Sequence, residues 1–165
     1  MKKILLVGLS LFMLSSISFA KNINEIKSLY WVTSNQTITC YVDRNGIEYD
    51  PSTDIATCYV TLNFPAEGRY CTGEYTINYK NNTITNGNWF EYYNDSDNYR
   101  ALNQPTSTSK IRPSTNGDKI KNAVAGLVGR EEKLAEYQKE QTDKQKKDKV
   151  KKVADSVLGG LGGLF

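Results

Sequence analysis

The sequence contains no histidine among its 165 residues. Histidine is the side chain most often used as a general base near neutral pH, and it is also the commonest metal ligand. Its absence excludes catalytic triads of the Ser-His-Asp type and Cys-His nucleophilic pairs, and it argues against a zinc site. We therefore predict no catalytic residues of these classes, no metal site and no cofactor.

Long apolar runs are also scarce, and the only one lies near the N-terminus, over residues 4–14. Two lysines precede this run, and small residues follow it, with Ser18 and Ala20 at the positions that a signal-peptide cleavage site favours. The run is shorter than the roughly 20 residues that a membrane span requires, and an uncleaved anchor is the alternative. Residues 1–20 are therefore predicted to be a cleavable signal peptide, which directs the protein to the periplasm or the extracellular space.

The sequence carries little excess charge of either sign. Its 21 basic and 18 acidic residues give a formal net charge of +3, and the two lysines of the predicted signal peptide account for most of that excess. A chain so close to neutral lacks the strongly basic surface that is typical of nucleic-acid-binding domains. We predict no nucleic-acid partner.

Residues 21–102 are predicted to form a β-rich domain, because apolar and polar residues alternate along four segments. Alternation with a period of two is typical of half-buried antiparallel strands. The apolar positions are Ile38, Cys40 and Val42; Ala56, Cys58, Val60, Leu62 and Phe64; Cys71, Tyr75, Ile77 and Tyr79; and Ile84, Trp89, Phe90 and Tyr92. Between the first two segments, Asn45-Gly46 is predicted to close a hairpin. The predicted fold is mainly β with a C-terminal α-helix: a small antiparallel meander sheet or partly open barrel of about five strands, followed by a linker and a helical tail.

Three further segments follow the β-rich domain. Residues 103–117 are rich in Pro, Ser and Thr and show no apolar period, which predicts a linker. Residues 118–158 lack proline and are rich in Lys, Glu, Ala and Gln, so they are predicted to form a lysine-rich helix. Residues 159–165, with the sequence GGLGGLF, form a short apolar tail.

The three cysteines, Cys40, Cys58 and Cys71, all fall on the apolar positions of their predicted strands. Two of them can pair in an oxidising compartment, which leaves one buried thiol. If the first two of these strands are neighbours, Cys40 and Cys58 lie opposite each other, and we predict a disulfide between them that contributes about 3 kcal/mol. The Cys58–Cys71 and Cys40–Cys71 pairings are the alternatives.

The polar face of the predicted sheet is rich in tyrosine and threonine. It carries Thr37, Thr39, Tyr41, Thr57, Tyr59, Thr61, Thr72, Glu74 and Thr76, and Trp89 and Tyr93 are candidates to join it. Aromatic rings bury contact area at little entropic cost, and hydroxyl groups add hydrogen bonds. We therefore predict a non-enzymatic exported binding protein that recognises a protein or a glycan through Tyr41, Tyr59, Trp89 and Tyr93. The alternatives are that these residues reflect β-propensity alone, or that the C-terminal helix covers this face.

Lysine residues are concentrated near the C-terminus and lead directly into apolar residues. A helix of this kind can lie on an anionic bilayer, with its apolar side chains in the interface and its lysines near lipid phosphates. The candidate contacts are Lys146, Lys147, Lys151, Lys152, Leu158, Leu161 and Phe165. The competing interpretations are an anchor on a membrane or a partner, a membrane-active toxin, and a solvated helix with a frayed end.

A third functional hypothesis is a glycan hydrolase, because two carboxylates across a cleft can hydrolyse a glycosidic bond without histidine. The candidate acids are Glu67, Glu74, Glu91, Asp95 and Asp97, and their spacing selects no pair. The last two lie in a segment from Asn94 to Asn98 that could gather oxygen ligands around calcium. The segment lacks the distal glutamate of a complete calcium loop, so we predict a solvated turn there.

Overall fold

The computed structural model describes residues 22–94, 96 and 98–161, and it describes side-chain burial as far as residue 152. The predicted signal peptide, Asp95, Asp97 and Phe165 lie outside these residues. Eight strands form one antiparallel sheet in the part of the chain that is described. They are β1 (Leu29–Ser34), β2 (Thr39–Asp43), β3 (Glu48–Asp50), β4 (Ile55–Phe64), β5 (Arg69–Asn78), β6 (Thr83–Tyr93), β7 (Tyr99–Leu102) and β8 (Ser107–Lys110). The helices α1 (Asn116–Val128) and α2 (Arg130–Leu161) follow the sheet. The predicted fold class, a mainly β meander with a C-terminal helix, is confirmed, with more strands than expected.

The sheet runs in the order β1-β2-β4-β5-β6-β7. Strands β2 and β3 pair with successive parts of β4, and β7 and β8 pair with successive parts of β6. Strands β2 and β3 therefore share one strand position beside β4, and β7 and β8 share one beside β6, each position being interrupted part-way along its length. The first interruption is a 3-10 turn at Arg44–Gly46. Asn45-Gly46 does not close the predicted hairpin, because β2 and β3 each pair with the ten-residue β4 instead of with each other.

We call the sheet face that carries α1 the inner face. Alternate residues of β2, and of β4 as far as Val60, are buried there, as a period of two predicts; beyond Val60 the buried residues of β4 are Thr61 and Asn63 on the opposite face. The sheet contributes Cys40, Val42, Ala56, Cys58, Val60, Cys71, Ile77 and Trp89 to the core. Helix α1 adds Ile120 and Val124, which lie one turn apart and are 3% and 0% exposed. The Thr115 side chain accepts a hydrogen bond from the Asp118 backbone N–H at the start of α1, and Gly129 ends the helix with a φ of 62°, a conformation that glycine adopts without strain.

The opposite face, which we call the outer face, carries a second and smaller apolar cluster. Ile23, in the 3-10 turn Ile23–Glu25, packs with Tyr70 and Tyr92. The two tyrosine rings stack with their centroids 5.1 Å apart, and Tyr41 borders the cluster. The N-terminal segment, not the C-terminal helix, therefore covers part of the face that the sequence predicts for recognition.

A buried ion pair attaches the junction of the two helices to the sheet. The Arg130 guanidinium donates to both carboxylate oxygens of Asp54, at 2.8 Å to Oδ1 and 2.6 Å to Oδ2. The Tyr49 hydroxyl donates to Oδ1 of the same carboxylate at 2.9 Å, and the Arg130 guanidinium carbon lies 4.4 Å from the centroid of the Tyr79 ring. Asp54 is only 4% exposed. The hydrogen bonds from Arg130 hold the pKa of Asp54 below its usual value. We call this pair the Asp54–Arg130 latch.

The segment from 103 to 117, predicted as a linker, contains regular structure. Residues 107–110 form β8, which pairs with β6. Ile111 is 5% exposed and belongs to the inner-face core. All four residues of β8 are exposed, so an apolar alternation that would mark the strand in the sequence is missing.

All three cysteines are buried and free, which contradicts the predicted Cys40–Cys58 disulfide. Strands β2 and β4 are neighbours, but their register places Cys40 opposite Leu62. Cys58 lies opposite Tyr75 on β5, so the two thiols are not cross-strand partners. Burial raises the pKa of Cys40 to about 11 and that of Cys58 to about 12. Thiols of this kind are poor nucleophiles because the thiolate is the reactive form.

Candidate binding groove on the inner face

Helix α1 packs mainly over β1 and β2, and it leaves part of the inner face open. At this contact the Lys119 ammonium donates to the Thr33 hydroxyl at 2.9 Å. On the side of β5, β6, β7 and β8 there is a cavity of about 400 Å³, a size within the range of small-ligand pockets. We call it the inner-face groove. Its lining includes the apolar residues Leu62, Phe64, Trp89 and Leu102 and the polar residues Arg69, Asn86, Gln104 and Ser107.

Trp89 is the largest side chain of the groove, and close packing fixes its position. The indole is 6% exposed and meets the Tyr75 ring edge-on at a centroid distance of 5.5 Å. It lies across from Gly73 on β5. A Cβ atom added at Gly73 would lie 2.2 Å from Cδ2 of Trp89. A glycine inside a strand often marks such a close approach, and here it makes room for the indole.

The groove reaches the edge of the sheet because there is a gap between β7 and β8, the two strands at that edge. Strand β7 ends at Leu102 and β8 begins at Ser107. Asn86 holds the start of β8, since its Oδ1 accepts from the backbone N–H and the hydroxyl of Ser107, at 2.8 and 2.6 Å. A second cavity of about 460 Å³ lies at the interruption and shares Trp89, Leu102 and Gln104 with the groove. A ligand can therefore enter from the side of the sheet.

An ion cluster centred on the buried Glu91 borders the groove. Glu91 is 4% exposed, and its carboxylate accepts from Arg69 at 3.1 Å, from Arg100 at 2.6 Å and from the Tyr93 hydroxyl at 3.1 Å. Arg69 also donates to Glu67 at 2.6 Å, and this hydrogen bond raises the pKa of Arg69. Two guanidinium groups are thus balanced by two carboxylates. The cluster places little net charge beside the groove.

The same cluster bears on the hydrolase hypothesis. Glycosidases need two carboxylates that flank one scissile bond. Glu67 and Glu91 are both engaged by Arg69, whereas Glu74 lies on the outer face across from Tyr59. The described carboxylates therefore offer no unbound pair facing the groove.

The structure does not bring the four predicted recognition residues together. Tyr41 and Tyr59 lie on the outer face, and both are half-buried. Trp89 and Tyr93 lie on the inner face, where Trp89 is buried and Tyr93 is 44% exposed. Both parities of β6 carry aromatic residues, and the register shifts between Gly73 and Tyr75 on its partner strand. The alternation in the sequence could not decide which face of β6 is buried.

The threonines predicted for the polar face on β2, β4 and β5 lie on the outer face, whereas Thr37 lies in the turn between β1 and β2. Thr57, Thr76, Thr85 and Thr108 face one another in register across β4, β5, β6 and β8. The hydroxyls of Thr85 and Thr108 are 2.8 Å apart, and those of Thr61 and Thr72 are 3.0 Å apart. Thr61 is buried, which differs from the expectation, because the outer face is covered near the second cluster.

The predicted tail contacts lie on or beyond α2. Lys146, Lys147, Lys151 and Lys152 are exposed on this helix. Leu158 and Leu161 fall within its bounds, but their side chains are outside the described part, as is the whole of Phe165. No helix among the described residues is sufficiently long and apolar to cross a bilayer.

Comparisons with known proteins concern the fold alone. No family model matches the chain, and no curated protein matches it significantly. Crystal form II of Haemophilus influenzae protein E aligns with a TM-score of 0.50 at 17% identity, covering 62% of this chain and 91% of that chain. A further structure of the same protein gives 0.48 at 17% identity, covering 61% and 85%. Protein E from non-typeable Haemophilus influenzae gives 0.46 at 18% identity, covering 64% and 78%. The match with a TM-score of 0.50 shows, at 17% identity, a similarity in fold alone to Haemophilus influenzae protein E.

Proposed function

We propose that this protein is an exported binding protein that receives an apolar side chain of a protein partner in the inner-face groove. One observation carries the proposal: α1 leaves part of the apolar inner face open, at a cavity of about 400 Å³. Protein surfaces that expose an apolar floor within a polar border are typical binding sites. The interruption between β7 and β8 provides access from the sheet edge.

The chemistry of the groove favours an extended, uncharged peptide segment. Leu62, Phe64 and Leu102 are half-buried, so a ligand side chain can remove more of their apolar surface from water. The neighbouring polar residues Gln104 and Ser107 provide groups that can hydrogen-bond to a peptide backbone. The charges beside the groove are balanced, so selection by net charge is weak. Binding without turnover is favoured because Glu91 is already occupied by three donors.

A glycan bound at the outer face is the second candidate. Its support is the threonine row that includes Thr57 and Thr76, together with the half-buried Tyr59. Hydroxyl groups and a flat sheet suit sugar hydroxyls, but part of this face is already covered by the segment around Ile23. The groove forms a defined cavity with an apolar floor, and therefore we place the partner there.

A peptide-library selection against immobilised residues 21–165 tests the proposal. The dissociation constant of an enriched peptide is then measured with two variants, Gln104→Trp and Thr108→Trp. Both positions are exposed and close in sequence, but Gln104 lines the groove and Thr108 lies on the outer face. We expect Gln104→Trp to weaken binding at least about tenfold by filling the groove, and Thr108→Trp to leave it within about twofold. The reverse pattern, or enrichment of glycans but not peptides on parallel arrays, would move the site to the outer face and contradict the proposal.

A further inference from the structure

Helix α2 has a long exposed surface. It comprises 32 residues, which corresponds to about 48 Å at the rise of an α-helix. From Glu131 to Lys152 most of its side chains are exposed, and the exceptions, Leu134, Tyr137 and Gln141, are half-buried. Exposure on all sides is unusual for a helix unless another surface covers part of it.

The charge of α2 changes along its length. Residues 130–140 carry four glutamates against one arginine and two lysines. Residues 144–152 carry six lysines against Asp148 alone. The lysines are Lys144, Lys146, Lys147, Lys149, Lys151 and Lys152, and all six are exposed. The distal half of the helix is therefore strongly basic, although the whole chain is close to neutral.

Apolar positions follow the basic stretch along one side of the helix. Val150 is 69% exposed. Positions 153, 157 and 161, which are valine, valine and leucine in the sequence, follow it at spacings of three and four residues within the helix. At 3.6 residues per turn these positions share one face. Lys147 and Lys151 flank this face on one side and Lys149 flanks it on the other, while Lys146 lies one turn before Val150 in line with the face.

We propose that this distal part of α2, residues 144–161, binds the surface of an anionic lipid bilayer and lies in its interface. Lysine ammonium groups on both flanks complement anionic headgroups, while the apolar face enters the boundary with the acyl chains. The acidic proximal part of the helix gives no such attraction, so contact is confined to the distal part. Because the apolar positions extend along the helix from Val150 to position 161, the helix axis lies parallel to the membrane surface.

Co-sedimentation with vesicles tests this proposal. Residues 21–165 are mixed with phosphatidylcholine vesicles that contain about one-third phosphatidylglycerol, and with vesicles of phosphatidylcholine alone. We expect binding only to the anionic vesicles, and a steep loss between about 50 mM and about 500 mM NaCl because salt screens exposed charges. Equal binding to neutral vesicles, or no binding to either, would overturn the proposal.

Two variants with equal changes in charge separate a local site from bulk charge. The first changes lysines of the distal part to glutamine, and the control changes exposed basic residues elsewhere. The test variant is K146Q/K147Q/K151Q/K152Q, and the control variant is K27Q/R112Q/K133Q/K139Q. Each lysine near a membrane surface contributes about a fivefold gain in affinity, so the test variant should lose at least about a hundredfold, and the control less than about threefold. Equal losses would contradict a site on α2.

A final pair of measurements distinguishes a bilayer from a soluble polyanion such as nucleic acid. The variant V150Q/V157Q keeps every lysine and removes part of the apolar face. We expect it to bind anionic vesicles about fivefold to tenfold more weakly and to bind a double-stranded DNA oligonucleotide as the wild type does. If vesicle binding is unchanged, the site recognises polyanions in general and the proposal fails. Release of a trapped dye by the wild type would support it and extend it to membrane disruption.

Discussion

Replacing Arg130 by alanine should destabilise the fold by about 3 kcal/mol at neutral pH. Breaking a buried ion pair by removing one partner typically costs roughly 3–5 kcal/mol, because the remaining charge is left buried and unpaired. Asp54 fits this case, since its side chain is 5% exposed, whereas the Arg130 side chain is 24% exposed. Partial exposure of the arginine places the expected value at the lower end of the range. Thermal and urea unfolding of residues 21–165 measure the effect, and a fall in Tm of roughly 10–20 °C is expected for a folded unit of about 100 residues.

The pH dependence of this loss follows from the pKa of Asp54. The latch holds that pKa below its usual value, so the folded protein binds fewer protons than the unfolded chain, whose aspartates titrate near about 3.9. The latch therefore contributes its full stability above that value and loses it as the pH falls through the lowered pKa of the folded state. In the Arg130→Ala variant the buried carboxylate has lost this cation. The difference in unfolding free energy between wild type and variant should thus be largest near pH 7 and shrink below pH 4.

The double variant Asp54→Asn/Arg130→Ala serves as the control for the latch. The substituted amide keeps an oxygen that can accept from the Tyr49 hydroxyl, and asparagine tolerates the positive φ of 59° found at this position. Because no unpaired charge remains, we expect the double variant to be more stable than Arg130→Ala alone. A destabilisation by Arg130→Ala below about 1 kcal/mol that does not vary between pH 7 and pH 3 would refute the assignment of this pair as a buried electrostatic contact.

Three further predictions concern packing and the thiols. Gly73→Ala should lower the unfolding free energy by roughly 1–3 kcal/mol, because the added methyl meets Trp89. Gly126→Ala should raise the unfolding free energy by up to about 1 kcal/mol, because an added Cβ has no neighbour within 4 Å there. Melting curves that rank the two variants the other way would contradict this packing. A reductant should leave Tm unchanged and native thiols should alkylate slowly at pH 8, because all three cysteines are buried and free; a mass deficit of two hydrogens would reveal a disulfide. Deleting residues 118–165 should abolish cooperative unfolding because it removes α1 from the core. Deleting residues 131–165 keeps α1 and should shift Tm by only a few degrees. Similar melting curves for the two deletions would show that α1 is dispensable.

Local pattern predicted the central strands and the helical C-terminal region. The fourth predicted segment, with apolar positions from Ile84 to Tyr92, lies within β6, and the alternation at Cys58 and Val60 correctly marks the buried side of β4. These features depend on residues close in sequence, because a strand with one buried face must alternate and a helix must repeat at 3.6 residues. Strand β1, with Trp31 57% exposed, and strand β8, with every residue exposed, lie at the edges of the sheet. Neither strand carries a clear alternation, and neither was predicted from the sequence.

The inner-face groove could not be predicted from the alternation of apolar and polar residues along single strands. Trp89 is a candidate binding residue from the sequence alone, but the sequence leaves its face open because both parities of β6 carry aromatic residues. The groove around it also needs Leu102 and Gln104, which no motif marks. Its existence follows from how far α1 extends over the sheet, a relation between elements distant in the sequence.

A mainly β meander with a helical C-terminus is predictable from the amino-acid order, because the central strands and the helices show the periodicity of their secondary structure in their own residues. The opposition of particular residues across strands emerged only on folding. The register of the sheet separates Cys40 from Cys58, and the packing of the helices joins Asp54 to Arg130 across 76 positions of the chain. The periodicity of a strand or helix determines which of its residues share a face, whereas the burial of that face, the pairing of its residues and the surface left open depend on the simultaneous packing of all the elements.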